Sequence, residues 1–221
     1  ADRDEGRRSY VRHLYPSIRI TEDGADILND PSIEAVVIAT PAATHFKLTI
    51  EALNAGKHVL VEKPMATSVD EVDRIGELAD RKRLVAMVGH TFLYNPAVRV
   101  LKQIIDSGDL GDIRYIYSQR LNLGRIRSDV DVLWNLAPHD VSIIQYLLGN
   151  PTPLSITRRG ADYIQPGIDD VGFLDILYPN KVLAHIHVSW LDPHKIRRTT
   201  VVGSKKMAVY DDVEERKIAI Y

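Results

Sequence analysis

Polar side chains follow three short apolar runs in the N-terminal part of the sequence. Open parallel sheets bind ligands at the carboxyl ends of their strands, so residues in these positions are the first candidates for chemistry. They are Thr40, Pro41, His45, Glu62, Lys63 and His90. Lys63 precedes Pro64, which restricts the backbone of the lysine. The pattern also fits a surface lysine in a loop, and His45 also fits a helix residue that only makes hydrogen bonds.

His139 is the second candidate, and it follows Pro138 at the start of a helix predicted over residues 138–148. A histidine with an ordinary pKa near ~6.5 is suited to exchanging a proton with a hydroxyl group. Asn135 lies four residues earlier. A capping or buried structural histidine is the alternative interpretation, and the residue type alone leaves both open.

Two further sets of polar residues are expected to have ordinary structural roles. His185 and His187 share one face of a predicted strand, but two ligands do not make a metal site, so no metal is predicted. The basic residues Lys195, Arg197 and Arg198 fit a solvated turn and strand edge better than a partner surface. The glycines form no G-x-G-x-x-G, no G-x-x-x-x-G-K and no G-x-S-x-G pattern.

The composition is that of a globular protein with one or two domains. The chain has 221 residues, 45% of them hydrophobic and 26% charged, with a net charge of −2 and no cysteine. The charge balance gives little support to nucleic-acid binding, and the missing cysteines exclude disulfides and thiolate zinc sites. No apolar run is long enough for a membrane span, and the polar start shows no signal peptide. We expect a soluble, cytoplasmic protein.

Two patterns of elements must position these candidates. Strands predicted at 35–40, 58–62 and 84–89 alternate with a helix at 44–55 and a second helix that Ser68 caps, with Val72, Ile75 and Leu78 as its apolar stripe, which is typical of parallel βαβ units. After residue 94 a helix at 96–107 and the helix at 138–148 accompany strands, predicted at 112–123, 155–161, 171–178, 182–190, 198–202 and 207–210. The fold class is therefore α/β: a doubly wound parallel sheet over residues 1–93, followed by an α+β domain with a mostly antiparallel open sheet over residues 94–221.

Four segments, in this order and spacing, resemble the glucose–fructose oxidoreductase / inositol dehydrogenase (Gfo/Idh/MocA) family. They are V-V-I-A-T-P at 36–41 with the following His45, A-G-K-H-V-L-V-E-K-P at 55–64, G-D-L-G-D-I at 108–113 and P-H-D at 138–140. The resemblance covers essentially the whole chain. It implies a Rossmann domain that binds NAD or NADP, a C-terminal α/β domain with an open antiparallel sheet, and hydride transfer to or from a sugar or cyclitol hydroxyl.

The resemblance also implies roles for single residues. Lys63 matches the lysine that contacts the reacting hydroxyl and the nicotinamide ribose, and His139 matches the acid/base histidine. The expected cofactor-binding residues are Asp2, Arg3, Thr40, Pro41, His45, Glu62 and Lys63. The expected substrate-binding residues are Asn95, Arg120, Arg125, Asn135 and His139. A hydroxyl that loses hydride needs a proton acceptor, which His139 supplies, while the Lys63 ammonium stabilises the developing alkoxide.

The segment from Arg120 to His139 resembles the branch of the family that acts on C3 of UDP-N-acetylglucosamine-type sugars or their uronic acids. Guanidinium groups at Arg120, Arg125 and Arg127 would suit a diphosphate or a carboxylate, although surface arginines are the alternative. Asp2 favours NAD, whereas Arg3 could accept the 2′-phosphate of NADP. Family members commonly pair through the antiparallel sheet, so the resemblance implies a homo-oligomer, a dimer or a tetramer.

Two departures from the family pattern keep other functions open. Asn135 replaces an aspartate found in many members, and an amide cannot take up a proton. The glycine-rich fingerprint is absent, so we expect a chain that lacks the first βα unit and stops before the last C-terminal elements. The alternative functions are a non-catalytic nucleotide-sensing or oligomerisation homologue, or an inactive fragment.

Overall fold

The computed structural model describes residues 1–124 and 126–221, which divide into two compact units, Ala1–Gly89 and His90–Tyr221. The sequence predicts the boundary after residue 93. The structure divides the chain four residues earlier, and the short 3₁₀ turn Thr91–Tyr94 belongs to the second unit. Phe92 in this turn packs against the core of that unit, which accounts for the difference.

The first unit contains a three-stranded parallel sheet in the order β1-β2-β3, as the βαβ pattern predicts. Its elements are α1 (Glu5–Leu14), α2 (Ala25–Leu28), β1 (Ala35–Ile38), α3 (His45–Asn54), β2 (His58–Val61), α4 (Val69–Lys82) and β3 (Ala86–Val88). Leu53 of α3 and Ile75 of α4 pack with Val59 and Val61 of the central strand in one apolar core. The strands are short and β-branched, but only one face of the sheet is buried, because the register partners Val37, Leu60 and Met87 on the other face are exposed at 70%, 37% and 38%.

The ends of these helices follow the sequence signals only in part. Ser68 caps α4, since its hydroxyl accepts a hydrogen bond from the Glu71 N–H, as the S-x-x-E motif predicts. Thr44 does not cap α3, because its hydroxyl donates to the Pro41 carbonyl oxygen instead. Val72, predicted to face inward from α4, is exposed at 39%, and Ile75 fills the buried position.

Helix α1 is not predicted by the apolar pattern, because its sequence is strongly polar. It forms at a capped start: the Asp4 carboxylate accepts a hydrogen bond of 2.7 Å from the Arg7 N–H. The resemblance to the Gfo/Idh/MocA family implies that residues 1–4 form the acidic end of a strand. The structure instead uses Asp4 as a helix cap and leaves Asp2 just before the helix.

The second unit contains a seven-stranded sheet in the order β10-β9-β8-β4-β7-β6-β5. Its elements are α5 (Pro96–Asp106), β4 (Ile113–Leu123), α6 (Val132–Leu148), β5 (Ser155–Ala161), β6 (Val171–Leu177), β7 (Leu183–Ser189), β8 (Leu191–Gly203), β9 (Met207–Asp211) and β10 (Ile218–Ile220). Only β4 and β7 pair in parallel, so the predicted mostly antiparallel sheet is confirmed. The short edge strand β10 is not predicted.

Helices α5 and α6 cover one face of this sheet, which we call the inner face. Leu101 and Ile144 of the helices pack there with Ile116, Ile186 and Val201 of the strands. Burial of this apolar surface is the main term that holds the unit together. Val100 of α5 is exposed at 45%.

Helix α6 begins six residues before its predicted start. Asp131 caps it, with its carboxylate 2.8 Å from the Trp134 N–H, and Pro138 lies inside the helix. Proline lacks the N–H that would bond the Trp134 carbonyl oxygen, so sequence reasoning places it at a helix start. Burial of Val132 and Leu133 in the first turn offsets this loss and extends the helix. His139 therefore lies in mid-helix.

The opposite, outer face of the sheet carries a row of aromatic rings. His187 stacks on Phe173 with ring centroids 4.4 Å apart, and His185 stacks on Tyr117 at 5.5 Å. The Nδ1 atom of His185 also lies 2.7 Å from the Asp175 carboxylate. Within residues 1–124 and 126–221, no group of three side chains could hold a metal ion, and no helix is long and apolar enough to cross a membrane.

The environment of His187 predicts a pH-dependent stability. Burial, and secondarily the charge of His185, lower the pKa of His187 below its ordinary value. The unfolded chain then binds this proton more readily, so the free energy of unfolding should fall as the pH drops below about 6.5. H187Q should flatten that dependence, whereas H194Q, at an exposed histidine of β8, should not. Urea unfolding followed by tryptophan fluorescence measures both; equal slopes in the two variants would contradict the assignment.

Candidate active site

A cavity of about 290 Å³ lies in the second unit beside α6. Asn135 and His139 both line it, because side chains four residues apart lie on the same face of a helix. The other lining residues come from the 3₁₀ turn, β4 and the loop after it, α6, and the segment that begins β8. They are Phe92, Arg120, Leu121, Asn122, Gly124, Arg127, Leu136, Trp190, Lys195 and Arg197.

The ring of His139 is held against Phe92, edge to face, with centroids 5.1 Å apart and an interplanar angle of 67°. The Nδ1 atom of His139 is buried. His139 itself lines the cavity. The arrangement fits a proton acceptor whose orientation is set by the protein.

Arg120 lies between Phe92 and Asp140. Its guanidinium stands over the Phe92 ring at 4.6 Å and donates to the Asp140 carboxylate, with Nε at 2.7 Å and Nη2 at 3.3 Å. Both charged side chains are buried, at 7% and 2% exposure, and Ser118 donates to the same carboxylate. Arg120, predicted to bind substrate, therefore forms a buried ion pair and also lines the cavity.

The basic segment Lys195–Arg198 is predicted to lie in a solvated turn and strand edge, but β8 is an inner strand of the sheet, between β9 and β4. Lys195 and Arg197 alternate along the strand and line the cavity, while only Arg198 points to the other face, where it pairs with Asp211 at 2.8 Å. The correction comes from the register between strands, which places Arg197 opposite Arg120. The alternation of 195 and 197 was the available signal, but it could not show which strand lies beside them.

The Asn135 amide has an orientation set by Trp190. The indole N–H of Trp190 can only donate, and it donates to the Asn135 Oδ1 atom at 3.4 Å. The Oδ1 atom of Asn135 thus accepts from Trp190, and the amide nitrogen carries two N–H donors. Asn135 can orient an oxygen of a substrate but cannot accept its proton.

The strand ends of the first unit are joined by His45. Its ring is buried, with Nδ1 2.7 Å from the Pro64 carbonyl oxygen and Nε2 2.8 Å from that of Thr40. His45 thereby fixes the Thr40-Pro41 segment against the segment containing Lys63, whose peptide bond to Pro64 is cis. Because both nitrogens contact the protein's own carbonyls, the geometry supports a positioning role and gives no support to direct cofactor contact.

Glu62 lies exposed at the end of β2, beside Gly89 at the end of β3. A Cβ atom at Gly89 would stand 3.3 Å from the Glu62 carboxylate, so the glycine allows this close approach. Lys63 is half-buried in the same segment. The structure thus brings together the predicted residues at the ends of β1 and β2.

Asp2 and Arg3, predicted to bind the cofactor ribose, lie at the start of the first unit. The Asp4 N–H and the nearby Arg7 guanidinium lower the pKa of Asp2 below its usual value, which keeps the carboxylate charged. Arg3 is exposed. A charged carboxylate suits a ribose hydroxyl, so Asp2 fits this part of a dinucleotide.

Asn95 and Arg125 are also predicted to bind substrate. Asn95 caps α5 by accepting from the Ala97 N–H at 2.9 Å, and its amide donates to the Tyr210 hydroxyl at 3.1 Å. Its polar atoms therefore serve the fold, so the structure does not support substrate contact. Arg125 lies outside the described residues.

A second cavity, of about 670 Å³, lies elsewhere in the same unit. Its wall is mainly apolar and includes Trp134, Pro138, Val141 and Leu174, with Arg158 among its few charged groups. His90, a candidate at a strand end, lines it, but among the described residues the catalytic and substrate-binding residues implied by the family resemblance do not. The smaller cavity, which holds His139, is therefore the candidate site.

Family models match both parts of the chain. Residues 2–90 match the oxidoreductase family with an NAD-binding Rossmann fold, and residues 98–209 match the GFO/IDH/MocA C-terminal domain. The chain belongs to the GFO/IDH/MocA oxidoreductase family. These matches confirm the family inferred from the sequence motifs. The family and its relatives are NAD(P)-dependent dehydrogenases.

Relatives with assigned names cover cyclitol and sugar-nucleotide chemistry. The chain is 30% identical over 196 residues to scyllo-inositol 2-dehydrogenase (NADP(+)) IolW of Bacillus subtilis, which covers 80% of this chain and 54% of the relative. It is 36% identical over 118 residues to UDP-N-acetylglucosamine 3-dehydrogenase of Acidithiobacillus ferrooxidans, covering 53% and 36%. The solved structure of GnnA from that organism, a UDP-N-acetylglucosamine 3-dehydrogenase, superposes with a TM-score of 0.85 at 27% identity, covering 98% of this chain and 69% of that one. The chain spans little more than half the length of the inositol dehydrogenases it matches.

The residues present fit part of a nicotinamide dinucleotide. Asp2 offers a charged carboxylate for a ribose, and Thr40, Glu62 and Lys63 offer polar groups at the strand ends, where open α/β sheets bind their ligands. The sequence contains no G-x-G-x-x-G loop for the pyrophosphate. When bound, such a cofactor supplies a hydride acceptor or donor.

The two arginine–aspartate pairs beside the cavity predict very different costs of disruption. Asp140 compensates a buried guanidinium, so D140A should lower the free energy of unfolding by about 3–5 kcal/mol. Asp129 pairs with Arg127 at 2.6 Å where both groups are partly exposed, so D129A should cost about 1 kcal/mol or less. Urea unfolding followed by tryptophan fluorescence compares them. Similar losses in both variants would show that the Arg120–Asp140 pair is not the buried charge it is taken to be.

Proposed function

We propose that this chain forms part of a dehydrogenase that moves hydride between a nicotinamide and a hydroxyl-bearing carbon of a sugar or sugar nucleotide. Lys63 and His139 are its catalytic residues. The observation that carries the proposal is the cavity beside α6, where His139 and Asn135 face a wall rich in guanidinium groups. Membership of the GFO/IDH/MocA family supplies the reaction class.

His139 accepts the proton of the substrate hydroxyl at Nε2 as the carbon loses its hydride. The edge contact with Phe92 limits rotation of the ring and keeps water from one side of it. Asn135, turned by Trp190, donates a hydrogen bond to a substrate oxygen. In the reverse direction the same Nε2 atom returns the proton to the carbonyl oxygen.

The Lys63 ammonium stabilises the oxygen on which negative charge develops. An ammonium held in place does this more effectively than water, because it needs no reorganisation as the charge appears. The His45 contacts to the carbonyl oxygens of Thr40 and Pro64 support such a fixed segment. Thr40, Pro41 and Glu62 are the proposed cofactor contacts beside it, together with Asp2 and Arg3.

The finer proposal for the substrate is a UDP-linked N-acetyl sugar oxidised at C3, with Arg120, Arg125 and Asn135 as contacts. The similarity to relatives named UDP-N-acetylglucosamine 3-dehydrogenase supports it. The guanidinium-lined cavity supports it too, since planar donors suit diphosphate and carboxylate oxygens. A cytoplasmic location stays a prediction.

The outer face of the seven-stranded sheet supports a homo-oligomer. Tyr115, Leu183 and Met207 of this face are exposed at 47%, 55% and 43%. An apolar sheet face that no helix of the described chain covers is suited to burial against a second copy. We propose a dimer or tetramer through this face.

A non-catalytic nucleotide-binding homologue is the second candidate, favoured by Asn135 in place of an acidic residue. Such a protein would bind NADH or a sugar nucleotide without turnover. Titration of NADH into the chain, followed by nicotinamide fluorescence, separates binding from turnover. Saturable binding without turnover would favour the second candidate.

Replacement of either proposed catalytic residue should remove turnover. With NAD⁺ or NADP⁺ and UDP-N-acetylglucosamine or an inositol as substrates, K63A and H139A should lower kcat by about 10²–10⁴-fold, the range expected for loss of a positioned acid/base or charge-stabilising group. K47A and H194A change exposed residues of the same types and should retain the rate. Appearance of the reduced nicotinamide is the measurement. A normal rate in K63A or H139A would remove that residue from the mechanism.

A further inference from the structure

Strands β4 and β8 place two arginines directly opposite each other. Arg120 pairs in register with Arg197, and both lie on the inner face and line the cavity beside α6. Like charges in opposite positions of an antiparallel pair destabilise a sheet. The fold itself therefore gains nothing from this choice, and a ligand that neutralises the pair would remove the repulsion.

Each guanidinium is held by a carboxylate that does not line the cavity. Asp140 accepts from Arg120 at 2.7 Å, and Asp212 accepts from Arg197 at 3.3 Å. A guanidinium has five N–H donors in a rigid fork, and these contacts use only some of them. The carboxylates thus orient the two groups and leave further donors for the cavity.

The charged side chains that line the described part of the cavity wall are all basic. Lys195 stands two residues before Arg197 on the same side of β8, and Arg127 completes the set. The Asp129 carboxylate bonds Arg127 at 2.8 and 2.6 Å and raises its pKa above the usual value. No acidic side chain is among the described lining residues.

We propose that Arg120, Arg197 and Lys195, with Arg127 at the edge, form a binding site for an oxyanion, either the diphosphate or the carboxylate of the substrate. Two oriented guanidiniums bind such a group in a forked, charge-assisted geometry. The site deepens the proposed function, because it makes the substrate an anionic sugar derivative. Only the identity of the ligand rests on that function; oxyanion binding requires no cofactor and no turnover.

Arg198 supplies the matched control within the same strand. It follows Arg197 directly, carries the same charge, and is likewise paired with an aspartate, Asp211 at 2.8 Å. Its side chain points to the outer face, away from the cavity. Any effect of charge on β8 in general will therefore be equal in R197Q and R198Q, whereas a site in the cavity involves only the first.

The experiment is calorimetric titration of the chain with pyrophosphate and, separately, with D-glucuronate, at constant ionic strength set with sodium chloride. D-glucose is the uncharged reference. We expect saturable binding of at least one anion, a Kd raised by about tenfold or more in R197Q and in K195Q, and no change in R198Q. Lys195 is exposed, so K195Q tests the site without disturbing a buried contact.

The two probes identify the source of the oxyanion. Binding of pyrophosphate alone assigns a diphosphate, and binding of D-glucuronate alone assigns a carboxylate. Absence of saturable binding of both, or equal losses in R197Q and R198Q, would overturn the proposal. A chain that binds an anion through Arg197 yet shows no turnover with any nicotinamide would keep the site and remove the dehydrogenase function.

Discussion

The guanidinium of Arg120 lies beneath α6 with little access to water, and a charge in such a place is costly unless a partner meets it. Asp140 meets it from α6, and Ser118, two residues earlier on β4, donates to the same carboxylate. These contacts fix how α6 sits on the central strand of the sheet. His139 is the residue before Asp140, so the contact that compensates the buried charge also determines where the proposed acid/base residue stands.

The pairing of β4 with β8 also determines where the basic side chains of β8 lie. Because side chains alternate along β8, Lys195 and Arg197 line the cavity while Arg198 faces outward. Asp211, the last residue of β9, and Asp212, which follows it, each compensate one arginine, Arg198 and Arg197 respectively. Consecutive residues of one basic segment thereby acquire different surroundings. Arg197 lines the cavity, whereas Arg198 faces solvent and pairs with Asp211.

Local features of the fold could be predicted because they depend on neighbouring residues. The parallel βαβ order follows from short β-branched runs between amphipathic helices, and Ser68 caps α4 through a contact three residues away. Helix α1 could not be predicted from apolar periodicity, since its one buried residue is Arg8. The predicted start of α6 at Pro138 was wrong, because burial of the preceding turn outweighs the hydrogen bond that proline lacks.

The candidate site was only partly accessible to such reasoning, because residue type does not determine a residue's role. His45 and His139 are both histidines next to predicted helix starts, and the sequence left a structural role open for each. In the fold, both ring nitrogens of His45 contact carbonyl oxygens, those of Thr40 and Pro64, whereas the Nδ1 atom of His139 is buried and the residue lines a cavity. What separates them is long-range: the partners that surround His45 lie up to 19 residues away, and the strand that brings Arg197 to the cavity of His139 pairs with a strand far earlier in the chain. The chemical difference between the two histidines is thus a property of the tertiary register.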